Sequence, residues 1–218
     1  MNRNPFKSGL LPWQLKVAYV AWIAVWIPVY CIHYDPRNLL WMCDVANILL
    51  MFALCLELPV LLSAQAVGVL LVQVAWMLDY FGALLFGVHV FGGTQYMFDT
   101  QYPLWLRAMS LFHVVVPPLL LWSLWRLGYD GRGLRLQTLI IWVLLPVTFA
   151  VGDPEQNVNW LWSPFGIEQT LVPPPYFVGV MMLAYPLILF VPTHFLLRRL
   201  FAPPRATERV AADAAGDA

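Results

Sequence analysis

Six apolar runs lie between Trp13 and Leu197, separated by short polar or proline-bearing turns, and they constrain this chain more than any other feature. Crossing the hydrocarbon core of a bilayer takes about 20 apolar residues in a helix. Hydropathy and helix-breaking residues place the runs at roughly 13–32, 39–56, 60–79, 104–126, 135–151 and 175–197. Only 11% of the 218 residues are charged and 61% are hydrophobic, with a mean hydropathy of +0.70. A soluble domain carries about 25% charged residues, so lipid has to solvate much of this surface. The expected fold is an all-α polytopic membrane protein: a single helical membrane domain over 1–200, then a disordered cytoplasmic tail over 201–218, alanine-rich, charged and without apolar periodicity.

The charges orient the bundle. Lys and Arg collect on the cytoplasmic side of membrane proteins. With six helices and both ends inside, Arg3, Lys7 and Lys16, then Arg126, Arg132 and Arg135, then Arg198, Arg199, Arg205 and Arg209 all fall on one side. These are ten of the twelve basic residues. Arg37 and Arg107 fall opposite, with Asp35, Asp99, Asp153, Glu155 and Glu168 in the outer loops. Five or seven helices break this pattern. The stretch 80–103 includes FGALLFGVHVFGG, which is apolar but glycine-rich and too short to span, and it is expected to be re-entrant or interfacial.

Other classes are excluded or disfavoured. The formal net charge is zero, which gives no global basic field for nucleic acid. There is no internal repeat of the kind found in duplicated transporters, and no GxGxxG, Walker loop or HExxH, so no cofactor or metal is expected. The first apolar run lacks a small-residue cleavage site and is expected to remain as a helix. The compact plan and the lack of a eukaryotic targeting signal point to a bacterial inner (plasma) membrane. Three cysteines, Cys31, Cys43 and Cys55, form no disulfide framework. Cys43 and Cys55 lie about 18 Å apart along one helix, while a Cys31–Cys43 bond is a minority alternative.

The chemistry concentrates in NLLWMCDVAN, 38–47. Cys43, Asp44 and Asn47 sit within five residues of one another at the start of the second helix, and hydrocarbon tolerates such groups only against a partner or a watery cavity. His113, in LFHVVVPP, is about nine residues into the fourth helix, roughly 13 Å deep, in the same outer half. The NVNW segment, with Asn157, Asn159 and Trp160, lies in an outer loop above. An outer-half pocket follows. Cys43 would be a nucleophile and His113 its general base, with Asp44 or Asn157 orienting the imidazole. Asn47, Asn159 or Trp160 would donate to an oxyanion, and membrane lipid, in the form of an acyl lipid, would be the substrate.

These motifs carry a resemblance. NLLWMCD, SLFHVVVPPLLL and NVNWLWSPFG, in this order, resemble the androgen-induced and androgen-dependent transmembrane hydrolases and their bacterial integral-membrane relatives, a transmembrane cysteine acyltransferase among them. The resemblance covers most of 10–198 and implies a six-helix fold. It also implies a nucleophile at Cys43, a histidine partner at His113, and hydrolase or acyltransferase activity on acyl lipid. The 80–103 stretch has no counterpart in the pattern.

Each residue also has a plain structural reading. Cys43 serves as a small packing residue, and His113 satisfies a carbonyl near the Pro117–Pro118 kink. Asp44 answers the helix dipole within reach of Arg37, and Trp160 anchors the interface. A non-enzymatic protein binding lipid or quinone, or a structural membrane subunit, is the alternative class.

Overall fold

The structure, a computed structural model, describes residues 9–201. Of the tail expected over 201–218, residues 202–218 lie outside the described residues. Helices α1 (Trp13–His33), α3 (Pro59–Phe86), α4 (Leu104–Leu127), α5 (Gly133–Val151) and α6 (Pro174–Leu200) are long and apolar enough to cross a membrane. Helix α2 (Met42–Cys55) is apolar but shorter, about 21 Å at 1.5 Å per residue. No strand occurs among the described residues. The protein is therefore an integral-membrane, all-α bundle.

Local chemistry sets the boundaries. Proline opens α3 and α6, where a missing N–H costs nothing. Helix α3 ends on Gly87 at φ 68°, a left-handed cap that suits glycine. This end lies seven residues beyond 79, so Tyr80–Phe86 extend the helix and only 87–103 form the loop. Helix α4 runs on through Pro117 and Pro118. A 3-10 turn, Met109–Leu111, lies just before His113. In α6 a π-turn spans Tyr185–Phe190. Pro186 has no N–H to give the regular ladder, and the wider turn absorbs the mismatch.

Helix α3 is the axis, packed by α2, α4, α5 and part of α6. Lipid offers no hydrophobic drive between helices, so close van der Waals fit holds them together. A Cβ added to Gly133 would stand 2.7 Å from the backbone nitrogen of Ala64, and one added to Gly68 would stand 2.3 Å from the amide nitrogen of Gln137. These glycines let α5 press against α3. At the basic end the Lys16 ammonium pairs with Glu57 at 2.8 Å. The Glu57 carboxylate also accepts from the amides of Leu10 (2.9 Å) and Leu11 (3.1 Å), and Arg126 donates to the Leu10 carbonyl at 2.8 Å. The start of α1 is thereby clasped to the α2–α3 turn. The positive-inside rule assigns this end to the cytoplasm.

Candidate functional site

Helices α3 and α6 form a fork. Helix α6 packs on α3 through Tyr185–Leu200, while its first half, Pro174–Ala184, leans on α5 instead. The fork encloses a cavity of about 690 Å³ in the outer half, large enough for part of a lipid. Leu71, Val72, Ala75 and Trp76 of α3 form one wall, and Met181, Ala184 and Ile188 form the other. The starts of α2 and α4 close the back, and the loops around Phe91–Tyr96 and Gln156–Phe165 form the roof. Ile188 belongs to this lining and is 68% exposed at the bundle surface, so the cavity reaches the lipid-facing side of the bundle.

Two loops build the roof. Asp79, fully buried near the end of α3, gathers one of them. Its carboxylate accepts from the amides of Phe91 (2.6 Å), Gly92 (3.0 Å) and Thr94 (2.9 Å) and from the Thr94 hydroxyl (2.6 Å). The His89 ring nitrogen lies 3.4 Å away. The other loop holds Asn157, Asn159, Trp160 and Phe165 at positive φ, between 47° and 58°. Left-handed backbone is ordinary for Asn but strained for Trp and Phe, and such strain gathers where a site must be shaped.

Of the expected site residues, Cys43, Asp44, His113, Asn157, Asn159 and Trp160 all line the cavity. Asn47 does not: its side-chain oxygen accepts from the Tyr19 hydroxyl at 2.7 Å, tying α2 to α1. Asn157 and Asn159 are occupied in building the roof. The Asn157 oxygen accepts from the amides of Trp162 and Ser163, and its nitrogen donates to the Ser163 carbonyl at 2.6 Å. Asn159 clasps the head of α2, accepting from the Met42 amide at 2.8 Å and donating to the Leu40 carbonyl at 2.7 Å. Both side-chain N–H groups of Asn159 are taken, the second by the Thr148 hydroxyl at 3.3 Å, so it is not free to serve an oxyanion, and Asn157 makes no hydrogen bond to the His113 ring among the described residues. Trp160 packs edge-on against Trp41 and stacks on Phe165.

The imidazole of His113 is set by a group the sequence did not point to. Its Nδ1 lies 2.8 Å from the Ser110 carbonyl, so Nδ1 carries the proton and donates there. Nε2 is then the acceptor, and it has no hydrogen-bond partner among the described residues. The ring stacks on Trp76, with centroids 4.6 Å apart and planes 12° from parallel. Ser110 also holds the Tyr30 hydroxyl at 2.8 Å. The acceptor is a backbone carbonyl, which any residue at position 110 would supply, so no sequence signal marked it.

Asp44 neither orients the imidazole nor meets Arg37. The Arg37 guanidinium is spent on Asp35, with Asp153 at 3.8 Å. The Arg37 side chain first, then its amide, holds the Asp35 carboxyl well below the usual carboxylate range. Cys43 and His113 face one cavity without hydrogen-bonding each other, and all three cysteines are free thiols. Cys43 is the second residue of α2, where the capping and turn bonds serve the amides of Met42, Asp44 and Val45. The Cys43 amide has no acceptor among the described residues. A free N–H at a helix N-terminus favours negative charge.

No family model matches this chain, and no curated protein or solved structure matches it.

Proposed function

We propose that this membrane protein is an acyl-lipid hydrolase or acyltransferase, seated in a bacterial inner membrane, with Cys43 as nucleophile and His113 as general base. One observation supports it most: the thiol and a histidine whose Nε2 is left open by the Nδ1–Ser110 bond line the same outer-half cavity. In this reading Nε2 takes the thiol proton and the sulfur attacks an ester carbonyl. The ester C–O bond breaks, and the departing alkoxide takes the proton back from His113. A thioester at Cys43 remains. Water resolves it in a hydrolase, or a second lipid hydroxyl in an acyltransferase. The free Cys43 amide, rather than Asn47 or Asn159, is the donor for the oxyanion. The gap between thiol and imidazole is of the kind that closes around substrate, since hydrogen bonds in empty sites are commonly long. The resemblance of the three motifs to the transmembrane hydrolase superfamily agrees with this assignment.

The test is labelling of purified protein with a thiol-directed lipid-like acylating probe, read by peptide mass spectrometry. Labelling is expected at Cys43, above Cys31 and Cys55, and is expected to fall at least tenfold in His113→Ala. Equal labelling of the three cysteines, or no effect of His113→Ala, overturns the enzyme reading.

The second reading is a non-enzymatic protein binding lipid or quinone. The absence of a Cys43–His113 hydrogen bond and the aromatic character of the lining favour it. It expects a co-purifying ligand that survives Cys43→Ser.

A further inference from the structure

Two carboxyls line the cavity, and they are treated differently by the fold. Asp79 is saturated by backbone and hydroxyl donors. Asp44 is 4% exposed, and its carboxyl has no hydrogen bond or ion pair among the described residues. Its role as the imidazole's orienting group is filled by the Ser110 carbonyl. No Lys or Arg among the described residues belongs to the cavity lining. A buried carboxylate without a partner is costly, and in a membrane such groups mark ligand or ion positions. The described residues supply no cation here, and a cationic ligand would give the carboxylate its partner.

The surrounding surface fits a cation. Tyr30, Tyr34, Trp41, Trp76 and Tyr96 belong to the same lining as Asp44. Aromatic faces attract ammonium groups, most strongly where water is excluded. An anionic head would meet an uncompensated carboxylate with no basic side chain to offset it.

We infer that the cavity binds an amphiphile with an ammonium head, whether a primary amine or a quaternary ammonium, using Asp44 as its counter-ion and aromatic rings as its walls. The apolar tail runs along the fork between α3 and α6. This names the substrate class of the proposed site, and it rests on the reading of the cavity as a lipid site.

The experiment uses the full chain in nanodiscs of neutral glycolipid. Hexyltrimethylammonium, hexanol, hexanoate and choline are titrated against tryptophan fluorescence, to which Trp41, Trp76 and Trp160 of the lining contribute, with empty discs subtracted. Hexyltrimethylammonium is expected to bind at least tenfold more tightly than hexanol, with hexanoate weakest. Asp44→Asn is expected to erase that preference while hexanol binding stays. The wild-type series alone tests the ranking if the variant does not fold. Hexanol or hexanoate binding as tightly as the ammonium probe overturns the ammonium inference but leaves a lipid cavity standing, as does an unchanged preference in folded Asp44→Asn. Choline binding as tightly as the hexyl probe keeps the ammonium site and overturns the amphiphile. Failure of all four probes overturns both the inference and the lipid cavity beneath it.

Discussion

The two halves of α3 are built on opposite principles. From Leu62 to Leu70 every residue is buried, so this stretch touches protein on all faces. From Leu71 onward the same helix is mostly half-buried or exposed, and Leu71, Val72, Ala75, Trp76 and Asp79 look into the cavity. The inner half uses small residues and one ion pair to exclude space. The outer half uses a fork, a π-turn and strained loops to create it. The second half of α6, Tyr185–Leu200, stays packed on α3 while its first half leans on α5, so the two helices part only beyond that contact. Polar side chains follow the same division: Gln137 packs against Gly68 inside, whereas Asp44 and His113 face the opening outside.

The contrast breaks most easily at the inner end. Glu57→Ala leaves Lys16, only 2% exposed, as an uncompensated charge, with an expected loss of about 3–5 kcal/mol, read by thermal unfolding in detergent. Gly133→Val drives a side chain into the backbone of Ser63 and Ala64 and is expected to cost about 1–3 kcal/mol. Either change should loosen the whole bundle; intact cooperative unfolding at the wild-type temperature would show that the inner half is not what holds it.

Outer-half changes should stay local. Asp79→Ala removes the acceptor shared by Phe91, Gly92 and Thr94 and is expected to speed hydrogen exchange at those amides without changing it at 62–70. Asn159→Ala uncaps α2 at an expected cost of about 1–2 kcal/mol and should reduce Cys43 labelling, because the thiol is positioned by that cap. The smallest effect is one of pH. Burial disfavours the charged form of Glu57, but the bonds from Lys16 and from the Leu11 and Leu10 amides outweigh it and hold the carboxyl below its ordinary value. A carboxyl held lower in the folded than in the unfolded state stabilises the fold above its unfolded value, and that stability is lost as pH falls through the folded value. The clasp should therefore hold above about pH 4.3 and exchange faster below it, and Glu57→Gln should flatten the dependence.

The sequence made the bundle legible because span length and basic-residue bias are coarse quantities that survive local detail. Six helices and the charge-defined ends needed only hydropathy and the positions of Lys and Arg. It also brought Cys43, Asp44 and His113 to one depth by counting residues along helices. Partner choice was out of reach, since that depends on which of several nearby acceptors wins. Ser110 outcompeted Asp44 for the imidazole because a carbonyl three residues back on the same helix needs no tertiary alignment. Asn47, one turn beyond Cys43, was captured by Tyr19 from another helix, which no spacing rule predicts. Asp79 went unnoticed because most of its donors are backbone amides, which carry no sequence signature. The extension of α3 through Tyr80–Phe86 was hidden by Gly82, Gly87 and the apolar run that continues past the true cap.

The fork between α3 and α6 changes what concentration means for this protein. A molecule arriving past Ile188 would come from the plane of the membrane without crossing the aqueous phase. Occupancy by such a ligand would be governed by its mole fraction among the surrounding lipids. Enlarging the bilayer with inert lipid at constant buffer volume would empty the cavity, while diluting the vesicles with buffer would leave it filled.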